Sequence, residues 1–208
     1  MGTIETPLDV KGSNAYVKVL GFDPGKTNFA WSLTEHVATP LRMTSRVVTS
    51  GLLPSTIGDL TNDLVKEIDQ LDDFLHGLMC EHAPDVVASE RFMAQGLRVG
   101  TTIEIANITM GVLLYKSLHH ATPMYVTPAV TWKNAYNRAA GRKKALDDVY
   151  KACAATPHQV DASLISCWVA SEELLCDRFE SVADEDSLIE FLESLESTST
   201  HRLRRIRA

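Results

Sequence analysis

The sequence lacks the cysteine pattern of a disulfide-bonded or zinc-binding protein. Its four cysteines, at positions 80, 153, 167 and 176, are scattered and include no CxxC pair, so we predict reduced, structural thiols. Long apolar runs are also absent, and the N-terminal segment has no basic region followed by an apolar core, as a signal peptide would have. These absences predict a soluble protein of the cytoplasm.

Internal repeats and low-complexity linkers are absent from the sequence as well. The 208 residues, 45% of them hydrophobic, suit one domain with a substantial core. We expect an N-terminal extension over residues 1–15 and a globular α/β domain over 16–175. A C-terminal segment over 176–208 should add an acidic helix and an arginine-rich tail.

The net charge of −7 hides a strong asymmetry along the chain. Residues 91–151 contain nine basic and three acidic side chains, whereas residues 172–196 contain ten acidic and one basic. A basic middle on an acidic protein is compatible with a local phosphate-binding face. Composition alone favours the simpler interpretation, in which both segments are solvated helical faces.

The pattern of apolar residues predicts three strands followed by alternating helices and strands. The first three strands are joined by short turns, which indicates an antiparallel meander. Leucine and isoleucine at three- and four-residue spacing predict amphipathic helices, and the order is βββαβαβ followed by further helices. The predicted strands are 16–23, 28–35, 44–53, 85–90 and 124–127, and the predicted helices include 57–82, 101–119 and 156–173.

Two acids stand at the carboxyl ends of predicted strands. Asp23 ends the first apolar run, in VKVLGFDPG, and Glu90 ends the fourth strand, in DVVASE. A carboxylate in such a place costs desolvation energy unless a cation or hydrogen-bond donors meet it. Because ligand sites in open α/β sheets collect outside the carboxyl ends of strands, parallel neighbours would bring both acids to one edge. Single acids at strand ends are also common as caps or solvated turn residues.

A third acid heads the apolar face of a late helix, in TPHQVDASLISCW. Asp161 lies on the same stripe as Leu164, Ile165 and Trp168, and His158 precedes it by three residues on that face. Alone, Asp161 would be a favourable partner for the helix N-terminus. Together, the three carboxylates supply hard oxygen ligands, which select Mg²⁺ or Mn²⁺ over zinc. Two such ions roughly 3.5 to 4 Å apart can hold an attacking water and a leaving oxygen in line on a phosphodiester.

On these motifs the chain resembles the RuvC family of Holliday-junction resolvases, within the ribonuclease H and retroviral integrase superfamily. The resemblance covers roughly residues 16–175 and is carried by LGFDPGKTNFAW, VVASERF and HQVDASLISCW, in the order of the family. It implies a ribonuclease H-like mixed five-stranded sheet, with three antiparallel strands followed by parallel ones and flanked by helices. A phage or virus-encoded member fits, so the expected location is the cytoplasm of a bacterium or infected host cell, in association with the nucleoid.

The activity that the resemblance implies is paired, symmetric nicking of four-way DNA junctions by a homodimeric, Mg²⁺-dependent endonuclease. Asp23, Glu90 and Asp161 would be catalytic ligands of two Mg²⁺ ions per site, with Asp23 shared between them and Mn²⁺ able to substitute. His158 stands where many relatives carry a further aspartate. It would be a metal ligand or a proton-transfer group.

The resemblance also assigns DNA contacts to the basic middle of the chain. Relatives carry lysines near phosphates at the positions of Lys133, in VTWKNAY, and of Lys143 or Lys144, in AGRKKALDD; Arg142 would add a contact. Arg91 and Phe92 follow Glu90 where relatives place an aromatic residue near the junction centre, although a phenylalanine of the core fits position 92 equally well. The apolar stretch 103–118 fits either a dimer interface or a buried crossover helix.

Three alternatives remain open on the sequence. A ribonuclease H or a broader flap and branch nuclease would share the fold. Actin-like nucleotide binding would require a second phosphate loop and an adenosine pocket, which the sequence does not display. A non-catalytic junction-binding protein would have no need of a complete set of carboxylates.

Overall fold

The computed structural model describes residues 15–25, 29–38, 43–53, 63–91, 100–139, 146, 150 and 155–171. The predicted N-terminal extension and the acidic C-terminal segment lie outside these residues, apart from Ala15. So does the part of the predicted first helix that precedes residue 63. The basic middle of the chain is described only in part.

One mixed sheet of five strands forms the centre of the described structure. Strands β1 (Ala15–Pro24), β2 (Phe29–Ala38) and β3 (Met43–Leu53) are antiparallel neighbours. Strands β4 (Val86–Arg91) and β5 (Met124–Pro128) continue the sheet in parallel with β1, in the order β3-β2-β1-β4-β5. This arrangement confirms the predicted fold class, including the change from antiparallel to parallel pairing.

The helices flank the sheet at the predicted places in the chain. They are α1 (Leu64–His82), α2 (Gly100–His119), α3 (Ala129–Ala139) and α4 (Pro157–Val169). Among the described residues, every helix is too short or too polar to cross a membrane. Helix α3 lies within the basic middle of the chain.

The alternation of side chains along β1 separates two layers of the core. Val17 and Val19 lie in a cluster with Leu164 of α4, whereas Leu20 and Phe22 lie in the cluster formed with α1. Successive residues of a strand point to opposite faces. Helices α3 and α4 therefore cover one face of the sheet and α1 covers the other.

A buried chain of polar side chains connects the three antiparallel strands with α4. Thr34 donates its hydroxyl to the carbonyl of Val19 (3.2 Å) and accepts from Nε2 of His36 (2.7 Å). Nδ1 of His36 lies 2.8 Å from Oγ of Ser45, to which the Cys167 thiol donates at 3.6 Å. Because Nδ1 can accept from Ser45 while Nε2 donates, the neutral ring satisfies both contacts.

This histidine should make the stability of the fold sensitive to acid. Complete burial lowers the pKa of His36 to about 3. Below about pH 6.5 this histidine is therefore protonated in the unfolded chain and neutral in the folded protein. The stability that the neutral ring supports is present above about pH 6.5 and is lost as the pH falls toward 3, at up to about 1.4 kcal/mol per pH unit.

Urea unfolding of the wild type and of His36→Gln at several pH values between 7.5 and 5 measures this contribution. Other titrating groups are common to both proteins, so the difference between the two slopes of stability against pH isolates His36. Parallel slopes would contradict this prediction, because they would show that His36 takes up protons equally in the folded and unfolded states.

Candidate active site

Strands β1 and β4 bring Asp23 and Glu90 to the same end of the sheet. The parallel register pairs Phe22 with Ser89, and each acid is the next residue of its strand. Both acids occupy positions that alternate onto the face covered by α4. Two carboxylates thus converge where the parallel strands end, as the sequence predicted.

The first turn of α4 is fixed by a capping box and by a contact to β3. Thr156 accepts from the backbone N–H of Gln159 (3.3 Å), and Oε1 of Gln159 accepts from the backbone N–H of Thr156 (3.3 Å). The amide of Gln159 also donates to Oγ of Ser50 at 3.1 Å. These contacts satisfy free N–H groups of the helix N-terminus and set the position of the turn that carries His158 and Asp161.

A glycine lets α4 approach β1 closely. A Cβ atom on Gly21 would lie 1.9 Å from Oγ of Ser166 and 2.3 Å from the backbone oxygen of Ala162. Ser163 donates to Oγ of Ser32 across the same interface, at 2.8 Å. Small residues on both elements therefore allow the contact that brings α4 to the strand carrying the first acid.

His158 forms a short ion pair with Asp23. Nδ1 of the ring donates to Oδ2 of the carboxylate at 2.6 Å, and 13% of the Asp23 side chain is exposed against 43% of the histidine. The hydrogen bond to Asp23 raises the pKa of His158; the charges of Asp23 and Asp161 add to the rise, and burial opposes it. The contact with Asp23 thus favours a protonated imidazole.

Asp161 is buried and held on both carboxylate oxygens. Nζ of Lys133 donates to Oδ2 at 2.8 Å, and the hydroxyl of Tyr150 donates to Oδ1. Burial raises the pKa of Asp161, and the ammonium group of Lys133 opposes the rise without cancelling it. The same ammonium lies 4.8 Å from the ring centroid of Trp132, within range of a cation–π contact.

Glu90 lies among groups that raise the pKa of its carboxyl. Its Oε2 accepts from Nε1 of Trp132 at 3.2 Å. Burial raises the pKa of Glu90 to about 7, helped by the charges of Asp23 and Asp161 and opposed by Lys133. The site therefore holds more carboxylate than its own cations can neutralise, and a bound divalent cation would supply the missing positive charge.

The predicted DNA contacts are only partly within the described residues. Arg91 is exposed at the end of β4. Lys133 is 35% exposed and is engaged with Asp161, so it contributes to the carboxylate site as well as to its rim. Phe92, Arg142, Lys143 and Lys144 lie outside the described residues.

Sequence reasoning missed three residues that shape the site. Gly21 carried a signal, because a glycine inside an apolar strand often marks close approach of another backbone. Trp132 precedes Lys133 in VTWKNAY, but a functional role was predicted only for the lysine of this motif. Tyr150 had no distinguishing signal, since its contact with Asp161 depends on how the chain folds.

Comparison with known proteins identifies the fold. No protein-family model matches the sequence, and no curated protein sequence does. A structure of RuvC from Thermus thermophilus matches with a TM-score of 0.56 at 14% identity, covering 72% of this chain and 90% of that one. The chain has the RuvC fold.

Two further solved structures match at similarly low identity. T. thermophilus RuvC in complex with a Holliday junction substrate has a TM-score of 0.52 at 15% identity, again covering 72% of this chain and 90% of that one. The yeast mitochondrial Holliday junction resolvase Ydc2 is 11% identical, with a TM-score of 0.46, and the match covers 89% of this chain and 82% of that one.

Proposed function

We propose that this protein is a structure-specific DNA endonuclease that resolves four-way junctions by hydrolysing phosphodiester bonds. One observation carries the proposal: Asp23, Glu90 and Asp161 converge at one end of the sheet, and burial together with mutual repulsion raises the pKa of Glu90 to about 7. A set of buried acids with too little positive charge is the environment that binds divalent cations. The RuvC fold supports junction DNA as the substrate.

The donor chemistry of the site fits magnesium. Three carboxylates are hard oxygen donors, so Asp23, Glu90 and Asp161 would hold two Mg²⁺ ions, for which Mn²⁺ would substitute. When bound, such ions activate water for attack and stabilise the charge on the leaving oxygen. His158 holds a proton on Nδ1 and directs it at Asp23, while Trp132 and Tyr150 fix the orientations of Glu90 and Asp161.

The DNA interface that we propose includes the predicted basic residues around this site. Lys133 reaches the carboxylates from α3 and is therefore near enough to the site to meet the phosphates of a bound strand. Arg91 is exposed and follows Glu90 at the end of β4, where it would meet DNA at the edge of the site. The remaining members of the proposed interface are Phe92, Arg142, Lys143 and Lys144.

Changing Lys143 and Lys144 together to alanine should weaken junction binding and flatten its salt dependence. Each lost phosphate contact lowers the slope of log K against log salt by about 0.9 on duplex DNA, so the pair should lower it by nearly 2. Fluorescence anisotropy over a salt series measures the slope. Lys66→Ala is the control, because this exposed lysine lies on α1, which covers the face of the sheet opposite α4. A double variant with the wild-type slope would contradict the phosphate role of the two lysines.

A homodimer would cut the two strands of a junction symmetrically. The exposed apolar side chains of Leu114, Tyr115 and Leu118 on α2, which are 48%, 60% and 71% exposed, support a dimer surface on this helix. Exposed apolar patches of this kind mark protein interaction sites. The opposite side of α2 is buried at Ile105 and Leu113, so this helix serves the core as well.

A side-by-side cleavage assay tests the proposed substrate. The protein is incubated in Mg²⁺ with a four-way junction, a flap, plain duplex DNA and an RNA–DNA hybrid of matched sequence. We expect paired nicks in the four-way junction and little cutting of plain duplex. Equal cutting of flaps and junctions would indicate a broader branch nuclease, and preference for the hybrid would indicate a ribonuclease H.

A further inference from the structure

A second group of potential metal ligands lies where α1 meets the end of α2. His76 and Cys80 are four residues apart on α1 and share one face of the helix. His120, which directly follows α2, reaches the same place. One ligand atom from each of these three residues lies within 4.8 Å of the other two.

The distances between these atoms are close to those of a zinc site. Nδ1 of His76 is 3.0 Å from Nε2 of His120, and Sγ of Cys80 is 3.6 Å from Nε2 and 3.9 Å from Nδ1 of His76. In tetrahedral coordination, Zn–N bonds of about 2.0 to 2.1 Å and a Zn–S bond of about 2.3 Å place neighbouring ligand atoms about 3.4 to 3.6 Å apart. Shifts of a few tenths of an ångström would therefore bring both of these pairs of atoms to the distances of a zinc site.

The surrounding contacts hold the two helices together at this point. One turn before His76, Asp72 forms an ion pair with Lys116 of α2, with Nζ 2.6 Å from Oδ2. The ring of His119 lies 5.3 Å from that of His120.

The three residues differ from the carboxylate site in chemistry and in place. Imidazole and thiolate are softer ligands than carboxylates and select zinc over magnesium. Helix α1 lies on the face of the sheet opposite α4. The prediction of structural thiols fits the buried Cys167, but Cys80 is exposed, as a thiol that binds an ion from solution must be.

We propose that His76, Cys80 and His120 bind one zinc ion that joins α1 to the end of α2, with water as the fourth ligand. Binding displaces the proton of the Cys80 thiol to solvent, so the thiolate carries the bond to the metal. The ion cross-links the two helices through ligands as much as 44 positions apart in the chain, since the whole of β4 and α2 lies between His76 and His120. The site does not depend on the proposed nuclease activity.

Zinc titration of the full-length protein in excess Mg²⁺ tests the site, because Mg²⁺ occupies carboxylates and leaves histidine and cysteine free. We expect one zinc ion per chain by calorimetry. Substituted Co²⁺ should show a thiolate-to-metal charge-transfer absorption. The unfolding temperature should rise by about 5 to 10 °C when free zinc is a hundred times Kd.

Variants on both helices identify the ligands. Cys80→Ser should abolish the cobalt charge-transfer band, and His76→Gln and His120→Gln should abolish the rise in unfolding temperature. Glu81→Gln, at an exposed acid next to Cys80, should behave as the wild type. The proposal is overturned if the wild type binds no zinc, or if Cys80→Ser and His120→Gln bind it as tightly as the wild type does.

Discussion

Asp161→Asn is expected to lower the rate of junction cleavage at least about 10³-fold while junction binding persists or tightens. Asparagine keeps the shape of the side chain but removes a negative charge from the proposed metal ligands. One acid fewer also reduces the repulsion between the site and the phosphates of DNA. Asp23→Asn should have the same effect, since Asp23 faces the same site through His158.

Single-turnover cleavage and electrophoretic binding assays on one four-way junction separate the two effects. The control is Asp69→Asn, which makes the same chemical change at an exposed position of α1. Full Mg²⁺-dependent nicking by either active-site variant would exclude the proposed mechanism. Loss of both cleavage and binding would instead show that the acids are needed for the structure of the DNA interface.

Gly21→Ala should destabilise the protein by about 3 kcal/mol or more and abolish cleavage, because the added methyl group would push α4 away from β1. The new Cβ would lie 2.3 Å from the backbone oxygen of Ala162, which cannot rotate away as a side chain can. Helix α4 must shift to relieve the overlap. That shift carries Asp161 and His158 away from Asp23.

Urea unfolding and the junction assay measure both consequences of this substitution. Gly77→Ala is the matched control, since a Cβ at that position on α1 meets no atom within 4 Å. It should stabilise the helix by up to about 1 kcal/mol, because alanine has the higher helix propensity. Wild-type stability and activity for Gly21→Ala would show that α4 can adjust without disturbing the site.

The fold and the acids could be predicted because they leave local patterns in the sequence. Runs of β-branched residues with short turns indicated the antiparallel strands. The stripe that Asp161 shares with Leu164 indicated that Asp161 is buried, and the residue is only 8% exposed in the structure. The place of Asp23 at the end of a strand followed from the Pro-Gly turn after it.

The partners of the acids could not be predicted, because they come from elements that meet only in the folded chain. Tyr150 and Lys133 precede Asp161 by 11 and 28 positions, and nothing in their neighbouring sequence specifies contact with it. The sequence prediction placed Lys133 among phosphate contacts and did not anticipate its ion pair. The proximity of Cys80 to His120 could not be predicted for a similar reason, because the spacing of the cysteines indicates only how they are placed relative to one another.

The site is assembled from distant parts of the chain, which has a consequence for how the protein is made. The ion pair between Asp23 and His158 joins residues 135 positions apart, and contacts of such long range form late because closing the intervening loop costs entropy. During synthesis β1 and β4 leave the ribosome well before α4. A nascent or truncated chain that ends before Pro157 carries only two of the three acids, so the proposed nuclease would stay inert until α4 has docked.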